Sequence, residues 1–339
     1  GAVGDGVTDD TEAIQKAFSN TGLIYFPNGI YLISDTIKPP QRPGGVPSRR
    51  IIQGQSRDRV IIRLRDRAPG FDNPAQPKPM IVTSWRIAQA FRNAVRDVTI
   101  DLGAGNPGAV GLEFFASNTG HVWNVTIRSS DPENTGFAGL AMFGDNGPLL
   151  VRGLNVQGCE YGIISDCNQL ATFEHITLSG QRRVGLESRN KSIIRALISW
   201  NSVPAVVARG QGFTLLEARL FHPASSDSPA IELVDSVATL LRDIEVKGYA
   251  TSLKAPGTTL HESQISEWTS KPVYRLTTTA PSSTLRLPIE ETPEFDSEPV
   301  EQWVPITRFA PSELWVERKG RHRKENWATA LQSAIDSGA

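Results

Sequence analysis

The chain has almost none of the residues that staple small folds or hold transition metals. Its only cysteines are Cys159 and Cys167, too few for a disulfide-dense scaffold or a structural zinc site, and they read as two buried thiols. The five histidines are scattered and form no His-Glu-x-x-His pair, so no metal or other cofactor is expected. Neither sign of charge is in excess: 35 Lys and Arg stand against 36 Asp and Glu, a formal net charge of -1, which gives no global field for nucleic acid. The short basic runs at residues 49–50 and 318–324 lack interleaved aromatics and read as solvated or partner-facing surface. No apolar run approaches a membrane span, so no membrane partner is expected.

What is present begins with a helix that has a definite start. Thr8, Asp9, Asp10 and Thr11 offer cap oxygens, and Ala13, Ile14, Ala17 and Phe18 make an apolar face at helical spacing. Asn20 to Gly22 end it, and the turn Pro27-Asn28-Gly29 separates two short apolar strands. Such a helix closes the end of a stack of sheets, which makes Asp5, Asp9 and Asp10 a solvated cap rather than a calcium site. The opening is echoed at residues 325–339, where Glu-Asn-Trp-Ala-Thr-Ala-Leu-Gln-Ser-Ala-Ile repeats the helical pattern.

Between these ends runs a degenerate repeat of roughly 20 to 30 residues. One series of short strands is marked by Val98, Val125, Leu154, Ile176 and Leu197, with Ile244 continuing it, and a second by Gly111-Leu112, Gly139-Leu140, Gly162-Ile163, Gly185-Leu186 and Ala230-Ile231. Two alternating strands per repeat without a long helix predict an all-β parallel β-helix, in which each series stacks into an interior column. An antiparallel sandwich fits the same strands, because alternation alone does not fix pairing direction.

The opening Gly-Ala-x-Gly-Asp-Gly-x-Thr-Asp-Asp-Thr-x-Ala-Ile-Gln, followed by Tyr25-Phe26-Pro27-Asn28-Gly29-Ile30-Tyr31, resembles the start of the pectate-lyase superfamily. That resemblance implies a right-handed parallel β-helix with an N-terminal helical cap. With its opening echoed at the end, the chain is similar to tandem β-helix proteins, bacterial glycoside hydrolase family 55 exo-β-1,3-glucanases among them. It implies a first β-helix domain over residues 1–287, a polar, proline-rich connector over 288–324, and the start of a second, truncated cap over 325–339. The implied protein is extracellular or periplasmic, with a polysaccharide or oligosaccharide and a second β-helix unit of the same chain as partners. Glycosidic hydrolysis of a β-glucan or related glycan is the leading expectation. A lyase acting on a uronate polymer and a non-catalytic, tail-spike-like binding solenoid are the alternatives.

A β-helix sets outward side chains in columns about 4.8 Å apart. In the second series Glu113, Glu187 and Glu232 share one outward position, with Val207 on the rung between the last two. Glu187 and Glu232 are therefore the candidate catalytic pair for inverting hydrolysis, one as general acid and one as general base. In the first series alternation places Asp101, Arg128, Trp200, His222 and Lys247 in one column, and Asp97, Asn124, His175 and Asp243 in another. Trp200 stacks on a pyranose or packs under a loop, Arg128 orients hydroxyls or a uronate, and His175 and His222 transfer protons or serve as surface groups. Arg189 borders the groove or pairs with Glu187. The turn-rich segments at 103–111 and 131–139 are candidate groove walls, and Trp268 and Trp303 cover apolar edges.

Overall fold

A computed structural model describes residues 1–19, 22–40, 48–85, 89–144, 146–235, 237–276, 278–291, 304–309, 315–316, 324–325 and 327–338. The chain divides into two compact units, Gly1–Thr284 and Leu285–Ala339. In the second unit, helix α2 (Ala328–Ser337) ends on Gly338 at φ 73, a left-handed cap that glycine adopts without a Cβ penalty. Trp303, the connector residues 292–302 and the basic run at 318–323 lie outside the described residues.

The first unit opens with helix α1 (Thr11–Phe18), which buries Ile14 and Phe18. Its cap differs from the expectation in one respect. The Asp10 carboxylate makes no cap bond; it turns back to accept from the backbone N–H groups of Val3 (2.6 Å) and Gly4 (3.0 Å) and is 1% exposed. Asp9 does the capping, accepting from the Thr11 N–H at 3.0 Å, and Asp5 accepts from Val7 and Thr8. Only Asp5 and Asp9 are exposed, as a solvated cap requires.

Beyond the helix the chain winds through three parallel ladders, so the expected parallel β-helix is the observed fold and an antiparallel sandwich is not. Ladder I stacks the rungs containing Ile52, Val95, Val122, Val151, Phe173, Ile194, Leu215 and Leu241. Ladder II carries Val98, Val125, Leu154, Ile176 and Leu197, and ladder III carries Leu112, Leu140, Ile163, Leu186, Val206 and Ile231. These columns are almost wholly buried and fuse into one core. A fully buried aliphatic side chain stabilises by about 1.5–3 kcal/mol, so the strip on one rung is too small alone and the stack is what makes a core. At the far end the pairing reverses: Gln264–Thr269 and Thr258–Leu260 run antiparallel to the strand Ala238–Ala255 and cover its edge. Trp268 packs partly buried there against the core.

Ladder I passes into ladder II without a loop. A single residue in the left-handed region bends each rung: Asp97 (φ 53), Asn124 (φ 54), Gly153 (φ 65), His175 (φ 54), Ala196 (φ 54), Glu217 (φ 54) and Asp243 (φ 58). Asp, Asn and Gly enter this region at low cost, so their repetition marks the corner. Their outward direction therefore comes from the bend, not from strand alternation. Asp97 is held there by Gln53, which donates to its Oδ2 at 2.8 Å, and by Asn124 from the next rung.

Ladder III needs glycine for a different reason. Gly111, Gly139, Gly162 and Gly185 occupy successive rungs, and a Cβ on Gly139 would lie 2.4 Å from Val156 Cγ1 and 2.8 Å from the Gly162 carbonyl. The missing side chain lets this backbone close onto the core-facing residues of ladder II. Gly139→Ala is accordingly expected to cost about 1–3 kcal/mol by overpacking, read as a lower denaturation midpoint. Unchanged stability would show that the rung relaxes freely.

Candidate functional site

The outer face of ladder III carries the carboxylates. Register runs Glu113, Ala141, Ile164, Glu187, Val207, Glu232, Lys254, so Val207 does separate Glu187 from Glu232. Two rungs set their backbones about 9–10 Å apart. Glu187 is 5% exposed and clamped: Arg189 Nη2 donates to its Oε2 at 2.9 Å and Arg209 Nε to its Oε1 at 3.2 Å. Burial opposes the charge on Arg189, but its hydrogen bond to Glu187 and the attraction of that carboxylate outweigh it and raise the Arg189 pKa above its ordinary value. Glu232 is more open and meets Lys254 Nζ at 3.3 Å.

Glu113 differs from both. Among the described residues no ion pair reaches it, and burial pushes its carboxyl above the usual range. Ala141 and Ile164, the next two positions of the column, belong to an apolar cluster with Val110, Tyr161 and Val184, against which Phe137 and Phe143 pack. Glu113 thus sits in the column with the environment that favours a protonated acid, three rungs from Glu187.

The remaining candidate residues fall on other faces, so ladder III does not collect them into one site. Trp200 lies on ladder II, 54% exposed, stacked on Phe221 with ring centroids 4.2 Å apart. Phe221, not His222, is its register partner, and Lys247 follows Phe221. The expected position of His222 is off by one because Ala218, 1% exposed, fills an interior position where other rungs carry a larger aliphatic residue. His222 instead meets Tyr249 edge-on at 5.2 Å, and its Nδ1 meets the Ala224 backbone. Arg128 and Asp101 share the expected column as register partners; Arg128 donates to Asp101 at 3.0 Å, and Asp101 is 2% exposed. His175 stands at the corner and lines a groove of about 570 Å³ with Glu217, Asp243 and Glu245.

The segments expected as groove walls do meet. Asp131 accepts from the Gly105 N–H at 2.7 Å, and Pro107 and Phe137 line a cleft of about 480 Å³ with Tyr161 and Arg183. Cys159 and Cys167 are free and buried, and burial pushes both thiols up to about 12, which leaves them unreactive near neutral pH. The two strand series missed one constellation altogether. Arg96, His121 and Trp123 share ladder I, and the signal for them was the alternation His121-Val122-Trp123 just before the corner residue Asn124.

Burial of Glu113 makes stability depend on pH. The folded state binds its proton more tightly than the unfolded chain, so the group favours folding at low pH and loses that contribution as pH rises through the folded pKa. Glu113→Gln is expected to raise stability near pH 7 and to lose the advantage below about pH 4. Denaturant midpoints at both pH values measure this; an equal difference at both would contradict the assignment.

Comparison with known proteins agrees with this geometry. The description "Rhamnogalacturonase A/epimerase, pectate lyase-like" matches residues 1–205. The pre-neck appendage protein of Bacillus phage B103 is 30% identical over 131 residues, covering 38% of this chain and 13% of that protein. A glucan 1,3-beta-glucosidase of Cochliobolus carbonum is 26% identical over 141 residues, 40% of this chain and 16% of that one. The chain thus spans only a small part of the length of these relatives. Among solved structures, ORF18 of Geobacillus virus E2 superposes with a TM-score of 0.53 at 14% identity, over 76% of this chain and 57% of that chain, and shares the fold. Among the described residues no helix is long and apolar enough to cross a membrane. With its family description matching 205 residues and its strands closing into a parallel solenoid, the chain belongs to the rhamnogalacturonase A/epimerase, pectate-lyase-like family of right-handed β-helices.

Proposed function

We propose that this solenoid is the glycan-facing part of an extracellular or periplasmic glycoside hydrolase acting on a β-glucan or related glycan, with Glu187 and Glu232 as its carboxyl pair. The observation that carries this reading is their shared column on ladder III, two rungs apart with only Val207 between them. Side-chain tilt over a backbone spacing of about 9–10 Å brings two carboxyl groups into the roughly 6.5–9.5 Å range of an inverting enzyme. Glu187, clamped by Arg189 and Arg209, is the base that takes a proton from the attacking water; Glu232, with Lys254 alone, delivers a proton to the leaving-group oxygen. Arg189 then acts as a positioning residue, and Trp200, His175, His222 and Arg128 offer further sugar contacts on neighbouring faces. The similarity to a glucan 1,3-beta-glucosidase supports the substrate class. The helical echo at the chain's end supports a second β-helix unit as the partner within the full protein.

A binding-only solenoid is the second reading, favoured by the ion pairs that already occupy both carboxylates and by the similarity to a phage appendage protein. The two readings separate in one assay on the full-length protein, offered neutral β-glucans and uronate polymers with reducing ends and unsaturated-product absorbance both followed. Hydrolysis yields new reducing ends without that absorbance, whereas a lyase yields both and a binding module neither. Glu187→Gln and Glu232→Gln are each expected to keep the fold by circular dichroism and to lower turnover on the order of 10²–10⁴-fold. Full turnover in either folded variant rejects the pair.

A further inference from the structure

A groove of about 700 Å³ opens on the outer face of ladder I, a different face from the carboxylate column. Its volume falls within the roughly 300–1,000 Å³ usual for small-ligand sites. Three side chains give it chemical character. Trp123 is 43% exposed, a large apolar ring left open on a sheet whose partners on the inner side are buried. Arg152, from the following rung, sits over the indole at 5.1 Å and pairs with Glu174 at 3.5 Å, which fixes the ring's position. His121 meets the ring edge-on at 6.4 Å.

Arg96 supplies the charge. Its Nε donates to His121 Nε2 at 2.6 Å, so the imidazole accepts there and is neutral in this arrangement. Burial, followed by the adjacent guanidinium, lowers the His121 pKa, in agreement with that bond. The neighbouring carboxylate, Asp97, is already taken by Gln53 and Asn124, and among the described residues no carboxylate pairs with Arg96. The terminal guanidinium nitrogens of Arg96 are thus the groove's uncompensated positive group. Pro148, Leu149 and Leu150 form an apolar wall beside it.

We infer that this groove is a second glycan-binding site, taking a pyranose that carries an anionic group: the sugar ring lies on Trp123 and its anion meets Arg96. An exposed indole recognises the apolar face of a pyranose, and a planar guanidinium recognises carboxylate or sulfate through paired N–H donors. A site here holds a polymer at a face separate from ladder III, so it adds avidity to whatever that ladder does and does not depend on catalysis there.

The test is calorimetric titration of the protein with oligogalacturonate, sulfated oligosaccharide and neutral β-glucan oligomers. Saturable binding of at least one anionic oligomer is expected, stronger than that of the neutral ones. Trp123→Ala should weaken it at least tenfold, and Trp123→Phe should retain most of it. Arg96→Gln should remove the preference for the anionic oligomer. Wild-type affinity in folded Trp123→Ala and Arg96→Gln, equal affinity for neutral oligomers, or absence of saturable binding by every oligomer would each overturn the assignment.

Discussion

Everything in the first unit depends on parallel, in-register hydrogen bonding between successive rungs. A parallel ladder gives each residue one partner above and one below, so a position repeated in sequence becomes a column in space. Inward columns close a core that no rung could form alone, and outward columns set functional groups at fixed spacing. The ends pay attention to the same constraint: α1 caps the first rungs, and the antiparallel segments Thr258–Leu260 and Gln264–Thr269 occupy the edge left by the last.

Two backbone devices keep the columns in phase. The left-handed residue between ladders I and II turns the chain in one step, which preserves register because no loop of variable length intervenes. The glycine column of ladder III draws that sheet close to the side chains of ladder II. Together they place the Glu113–Glu187–Glu232 column and the Trp123 groove on different faces of one rigid stack. Charge then differentiates positions that register makes equivalent: Glu187 lies under two arginines, Glu232 beside one lysine, and Glu113 among apolar groups.

Ladders II and III were legible in the sequence because their interior residues are large aliphatics separated by recognisable turns. The register of Glu187, Val207 and Glu232 followed directly. Ladder I was hidden because a one-residue bend carries no Gly-Pro or Asn-Gly signal to set residues such as 94–96 apart from the strand around Val98. The phase around His222 slipped by one because Ala218 is an inconspicuous interior residue. Side-chain partners were less legible still: that Asp101 is buried with Arg128, or that Asp10 serves the backbone of Val3 and Gly4, follows from packing that alternation does not encode.

The register itself can be observed. In a methyl-labelled sample, nuclear Overhauser contacts are expected to step through Leu112, Leu140, Ile163, Leu186, Val206 and Ile231 in that order, each methyl group seeing the residue one rung before and one rung after. Contacts that skip this order, or that pair these strands antiparallel, would contradict the columnar arrangement and every functional assignment built on it.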